Sequence, residues 1–128
     1  YFYTSINIFK DNMFFGKGPK TYRYYCNDER FKINRWSCST HPHNFYVQLL
    51  AELGIVGFFY IFFIYAYLFF KSIKLLFINN ENNYYSICIM SFFLINLWPI
   101  TSTGNFFNNW LSIVMYIPIG FYLSKISK

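Results

Sequence analysis

From Leu53 to Phe70 the chain runs eighteen residues without an Asp, Glu, Lys or Arg. A run of that length and character reads as a helix able to cross a bilayer. A helix keeps its backbone N–H and C=O groups paired where water does not reach. The apolar stretch reaches back to Phe45 with Glu52 as its only charge, and Lys71 and Lys74 follow it. Two further apolar runs, Tyr84–Ile100 and Trp110–Leu123, are set apart by the polar segments 79–83 and Thr101–Asn109. The pattern predicts an all-α, polytopic integral membrane protein. An external part, 1–44, precedes a membrane domain, 45–128, with spans near 47–70, 84–100 and 107–124. The last run is short, and Phe106 and Phe107 extend it.

Charge supports this class and adds an orientation. Only 12% of residues are charged, against about 25% in an ordinary soluble domain. Lys71, Lys74, Lys125 and Lys128 fall on one side of three spans, which the positive-inside rule makes cytoplasmic. Residues 1–44 and the Thr101–Asn109 turn then face outward. Within 1–44, Phe2, Ile6, Phe9 and Met13 recur at helical spacing, predicting an amphipathic helix over 2–15 that Gly16 and Gly18-Pro19 end. Residues 16–40 read as an irregular loop. The chain opens at Tyr1 with no leader pattern, and we expect it to be the C-terminal part of a longer polytopic protein.

Seven of the eleven basic residues lie before residue 36, namely Lys10, Lys17, Lys20, Arg23, Arg30, Lys32 and Arg35. Cations on the outer side run against the positive-inside trend, which points to a use for them. One use is contact with anionic lipid headgroups. The other is a site for an anionic substrate such as a diphosphate. Nucleic acid is not expected, because the charge lies beside apolar spans and no binding motif accompanies it. Cys26 and Cys38 share the outer loop, in a compartment that permits a disulfide between them. Cys88 lies in an apolar run and reads as a small packing residue.

Chemistry concentrates at His41-Pro42-His43-Asn44, just ahead of the first apolar run. Imidazole titrates near neutral pH, so it can exchange a proton during turnover. Asn44 reads as the helix N-cap. The N–H groups at such a helix end favour an anion, so a diphosphate can rest there. Cys38, His41 and His43 are three donor types in six residues with no evident fourth, so no metal is expected. No phosphate-cradling glycine loop or acidic pair for Mg²⁺ occurs, and no cofactor is expected. Glu52 is an ionisable residue near a span. It reads equally as a functional group or as one that reaches the interface or a loop lysine. Gly54 and Gly57 read as packing positions.

The run His43-Asn44, nine residues, then Gly54-Ile55-Val56-Gly57 resembles the signature of the bacterial O-antigen ligase/polymerase family. Phe15-Gly16-Lys17-Gly18-Pro19 and the polar turn Thr101–Trp110 are similar to that family's periplasmic turn and last external turn. The resemblance implies an enzyme of the bacterial inner membrane with its active site facing the periplasm. It would transfer a glycan from an undecaprenyl diphosphate carrier to an acceptor glycan or lipid A core. His43 would be the catalytic base, by its place in the motif. Extracytoplasmic arginines contact the diphosphate in that family. Those arginines have no matched position in this sequence, and Arg23, Lys20 and Lys17 are the candidates for a nearby anion-binding role, with Asn44 beside the histidine as a further substrate contact. Ligase, polymerase and protein O-oligosaccharyltransferase remain open. A reading of another class also stands: a non-enzymatic membrane or transporter fragment whose basic loop binds lipid headgroups.

Overall fold

The computed structural model describes residues 1–77, 83–98, 100 and 102–126, which contain helices, turns and coil and no strand. The helices are α1 (Phe2–Asp11), α2 (Tyr22–Tyr25), α3 (Phe45–Leu76), α4 (Asn83–Asn96) and α5 (Asn109–Ile126). Of the expected polar break at 79–83, residues 79–82 lie outside the described residues, as do Pro99, Thr101 and Lys128, and Asn83 opens α4.

Helix α1 stops at Asp11 and not at residue 15 as expected. The Asn12 N–H turns back to the Phe9 carbonyl at 3.2 Å, which closes the helix. Met13–Gly18 is needed elsewhere, because this segment crosses α3 and exchanges backbone hydrogen bonds with it. The expected irregular loop contains one short helix, α2. Helix α5 runs through Pro118.

The largest departure from expectation is in α3. Gly54 sits at φ 66°, ψ −169°, outside helical geometry, so α3 is two helices meeting at a sharp kink. In a straight helix Phe45 and Tyr65 would lie about 30 Å apart. Their ring centroids are 6.4 Å apart, and so are those of Tyr46 and Phe58. The first segment, Phe45–Leu53, therefore folds back against the second. The expected continuous span near 47–70 is broken at this point. The second segment, from Ile55 to Lys74, is still about 30 Å long and suffices for a bilayer core.

A kink strands backbone groups on both sides of it, and these must find partners when buried. The Met13–Gly18 segment supplies them. Lys17 and Gly18 donate their N–H groups to the carbonyls of Ala51 and Glu52 at 3.1 and 2.8 Å. Ile55 and Val56 donate to the carbonyls of Met13 and Phe14 at 2.8 and 3.2 Å. The crossing is so close that a Cβ on Gly16 would meet the Glu52 carbonyl carbon at 2.5 Å. One on Gly54 would meet the Phe14 carbonyl at 2.4 Å. Gly54 is thus required by backbone-on-backbone contact at positive φ, where L side chains are strained. Gly57 has a different role: a Cβ there would meet the Leu53 side chain, on the other side of the kink.

Two apolar clusters flank the first segment of α3. Ile8, Tyr22, Cys26 and Phe31 pack on Ala51 and build a small core under α1 and α2. Phe45 and Leu49 face the other way, into a larger aromatic cluster with Tyr65, Phe93, Phe106 and Tyr122. One short amphipathic helical segment is therefore shared between the α1–α2 module and the helical bundle. Beyond the kink the second segment keeps Phe59, Tyr60, Phe63, Tyr67 and Phe70 exposed. Such a continuous apolar surface is what a lipid-facing helix presents.

Candidate active site

Asn44, Gln48 and Glu52 lie four residues apart and therefore share one face of the first α3 segment. Asn44 does act as the cap: its Oδ1 accepts the N–H groups of Tyr46 and Val47 at 3.0 and 3.2 Å. Gln48 is buried and bridges. Its Nε2 donates to Asn105 Oδ1 at 2.8 Å and to Glu52 Oε2 at 3.1 Å, and its Oε1 accepts the Phe106 N–H at 3.1 Å. The first α3 segment is thereby joined to the turn before α5.

Glu52 is 1% exposed, which makes it a buried carboxylate whose acceptor sites must be met. Its Oε1 accepts the Tyr22 N–H at 2.8 Å and its Oε2 accepts the Lys20 N–H at 3.1 Å. Backbone of the basic loop takes the place that a lysine side chain was one candidate for. The alternative that Glu52 simply reaches the membrane interface does not hold for a side chain enclosed in this way.

His43 occupies the turn into α3 at φ 58°, uncommon for a residue with a side chain. Its carbonyl accepts the Thr103 N–H at 3.0 Å, fixing the strained turn to the segment before α5. The imidazole is exposed. Its ring lies 4.2 Å from that of His41 and 5.2 Å from that of Tyr1, with Ser39 Oγ 3.5 Å from Nε2. His41 is therefore a loop residue that neighbours His43. Burial first, and then the nearness of His43, hold His41 below the usual histidine range. Its Nδ1 is 3.0 Å from Thr40 Oγ1.

The expected cations are only partly gathered. Lys17 is engaged by Asp11 in an ion pair and lies over the Tyr25 ring. Lys20 and Arg23 are exposed, on the loop that Glu52 holds. Glu52 is eight residues beyond Asn44, so their anchor is about 12 Å along the helix from the histidine turn. Arg30 forks onto Asp28, whose carboxyl is held down at about 2 by that guanidinium. Arg35 is exposed. Tyr22, pushed up to about 12 by burial, keeps its hydroxyl proton and donates it to the Ser37 carbonyl at 3.1 Å. Sequence reasoning missed Gln48, Tyr22 and Ser39. The four-residue spacing Asn44/Gln48/Glu52 was the available signal for the first.

Cys26 and Cys38 form a disulfide, with their Cα atoms 5.0 Å apart. It closes the loop that carries Arg30 and Arg35, and it leaves Cys38 unavailable to His41 and His43 as a metal donor. Alkylation of native membranes without reductant should label neither cysteine, and labelling of both should follow reduction. Free thiols at both positions in the unreduced sample would remove the bridge.

An apolar groove of about 270 Å³ lies between α3 and α4. Phe45 and Tyr46 line its end next to His43-Asn44, and Phe62, Tyr65, Phe93 and Trp98 line the rest. The exposed His43 imidazole thus stands at the end of an apolar helical groove, in the same fold as the cation-bearing loop. The described residues are all-helical, with one helix, Phe45–Lys74, long and apolar enough to cross a membrane. The family profile described as O-antigen ligase matches residues 1–62, from α1 through the histidine motif and Gly54–Gly57, so this part of the chain is similar to that family. Its members are membrane-embedded ligases and polymerases of glycosyltransferase type. No curated protein and no solved structure matches the chain.

Proposed function

We propose that the protein transfers a glycan from an undecaprenyl diphosphate carrier to an acceptor hydroxyl at the periplasmic face of the bacterial inner membrane. The observation that carries this reading is the family match across an exposed His43, held in a strained turn with its carbonyl accepting the Thr103 N–H. His43 removes the acceptor proton, and the acceptor oxygen attacks the sugar carbon bonded to the diphosphate. The carbon–oxygen bond to the diphosphate breaks, and the diphosphate leaves with the bonding pair. Cations near the leaving group then act most strongly in the transition state. Lys20 and Arg23 supply them in this reading. Lys17 contributes charge at a distance, and Asn44 orients the helix end. The groove beside Phe45 and Tyr46 has the apolar character that suits the polyprenyl chain. The acceptor is a glycan or lipid A core.

The reaction needs no metal in this reading. Membranes carrying the protein should move labelled glycan from the lipid diphosphate to acceptor with EDTA present. Absence of transfer by the intact protein under any metal condition would sink the reading, and transfer abolished by EDTA would sink its metal independence.

The accompanying topology has the second α3 segment, α4 and α5 as spans, with Lys71 and Lys74 cytoplasmic and Ser102 periplasmic. Helix α4, of fourteen residues, is only about 21 Å long and needs local thinning of the bilayer. Cysteines placed at Lys74 and Ser102 should react with a membrane-impermeant reagent from opposite sides. Reaction of both from one side would exclude this arrangement.

A further inference from the structure

Two described residues other than glycine have positive φ, Lys20 at 62° and His43 at 58°. Each such residue stores strain that persists only where its surroundings hold it. Lys20 is held through its N–H by Glu52, and His43 through its carbonyl by Thr103. Between the two holds runs one buried polar chain. Glu52 meets Gln48, and Gln48 meets Asn105 and the Phe106 N–H in the segment that also contains Thr103. The strained residues are therefore the two ends of a single network, one bearing a cation and the other the imidazole.

The chemistry of Glu52 suits this place. Its carboxylate receives three donors, the N–H groups of Lys20 and Tyr22 and the Gln48 amide. A carboxylate has acceptor capacity for all three and brings no donor of its own. An amide of the same shape would turn an NH₂ toward at least one of them. Arg23, one residue past Tyr22, is near enough to feel the charge. Glu52 is enclosed and its carboxylate is engaged by donors within the fold, so it does not face a substrate.

We propose that Glu52 is a positioning residue, whose buried carboxylate sets Lys20 and Arg23 at a fixed place relative to His43. This rests on the glycosyl-transfer reading for its consequence, because the cations it places are those that would meet the diphosphate. Without the carboxylate, Lys20 relaxes to negative φ, and the loop from Pro19 to Arg23 loses its register on α3. The donor then binds less well, while a bound donor still faces His43.

The test is Glu52→Gln in the protein in its native membrane, read in two independent ways. The first is trypsin cleavage after Lys20 and Arg23, with cleavage after exposed Arg35 as internal reference. Cleavage at the first two sites should speed up by about tenfold relative to the third, since it reports opening of the held loop. The second is transfer of undecaprenyl-diphosphate-linked glycan against donor concentration. KM for the donor should rise about tenfold with kcat within about threefold. In a Lys20→Ala/Arg23→Ala background the same change should add less than about twofold to KM, because it acts through those side chains. Unchanged cleavage overturns the proposal. So does faster cleavage with unchanged KM, or a full KM effect in the absence of the two cations. A fall in kcat alone makes Glu52 a chemical participant and overturns it as well. The trypsin result does not depend on turnover, so loss of the transfer reading through an active His43→Ala protein would be recognised separately.

Discussion

Replacing His43 by Ala should lower glycan transfer by about 10²–10⁴-fold, the range for losing a general base. The prediction rests on where the side chain sits. His43 is exposed, its backbone is pinned by Thr103, and Asn44 starts the helix directly after it. His41→Ala should cost at most about tenfold. Its ring is turned to Thr40 and packs beside His43, and burial, then the nearness of His43, disfavours its charged form. Its part is to support the turn. Membrane levels of both variants should equal those of the parent, because neither ring belongs to an apolar cluster. The assay is transfer from lipid-linked glycan in isolated membranes. Full activity in the His43→Ala protein, at normal abundance, would end the assignment of the base.

The second large effect is expected on stability. Gly54→Ala should destabilise the fold by about 2–5 kcal/mol, from about 1–2 for a side chain at positive φ and about 1–3 for displacing packed neighbours. The atoms in the way are backbone, the Phe14 carbonyl and the Phe15 nitrogen, and cannot rotate aside. Gly16→Ala meets the other strand of the same crossing, at the Glu52 carbonyl and the Gly54 nitrogen, and should behave alike. The pair should not add, because opening the crossing once relieves both. Gly120→Ala is the control, since a Cβ there meets nothing within 4 Å. The measurement is thermal unfolding in detergent for the three variants. A Gly54→Ala protein as stable as Gly120→Ala would refute the crossing.

Much of the local structure is legible in the residues themselves. Apolar runs broken by polar segments mark α3, α4 and α5, and the Phe2/Ile6/Phe9 spacing marks α1. Asn44 announces the start of α3, because a short polar side chain before an apolar helix has free N–H groups to accept. The histidine motif and its distance to Gly54 are likewise visible in one dimension. These features follow from hydrophobicity, side-chain length and backbone hydrogen bonding over a few neighbouring residues.

Tertiary structure alone decided the rest. Gly54 and Gly57 look alike in the sequence, yet one is a left-handed kink and the other a helical residue beside Leu53. What separates them is the backbone of Met13–Gly18, some forty residues away, which pairs with the groups freed at Gly54. Glu52 was equally ambiguous, because its partners are main-chain N–H groups about thirty residues back, which carry no compositional mark. The eighteen-residue apolar run established that a long helix would form. Its break, and the return of Phe45 onto Tyr65, depended on a partner for the stranded backbone groups, and only the folded chain brings that partner into reach.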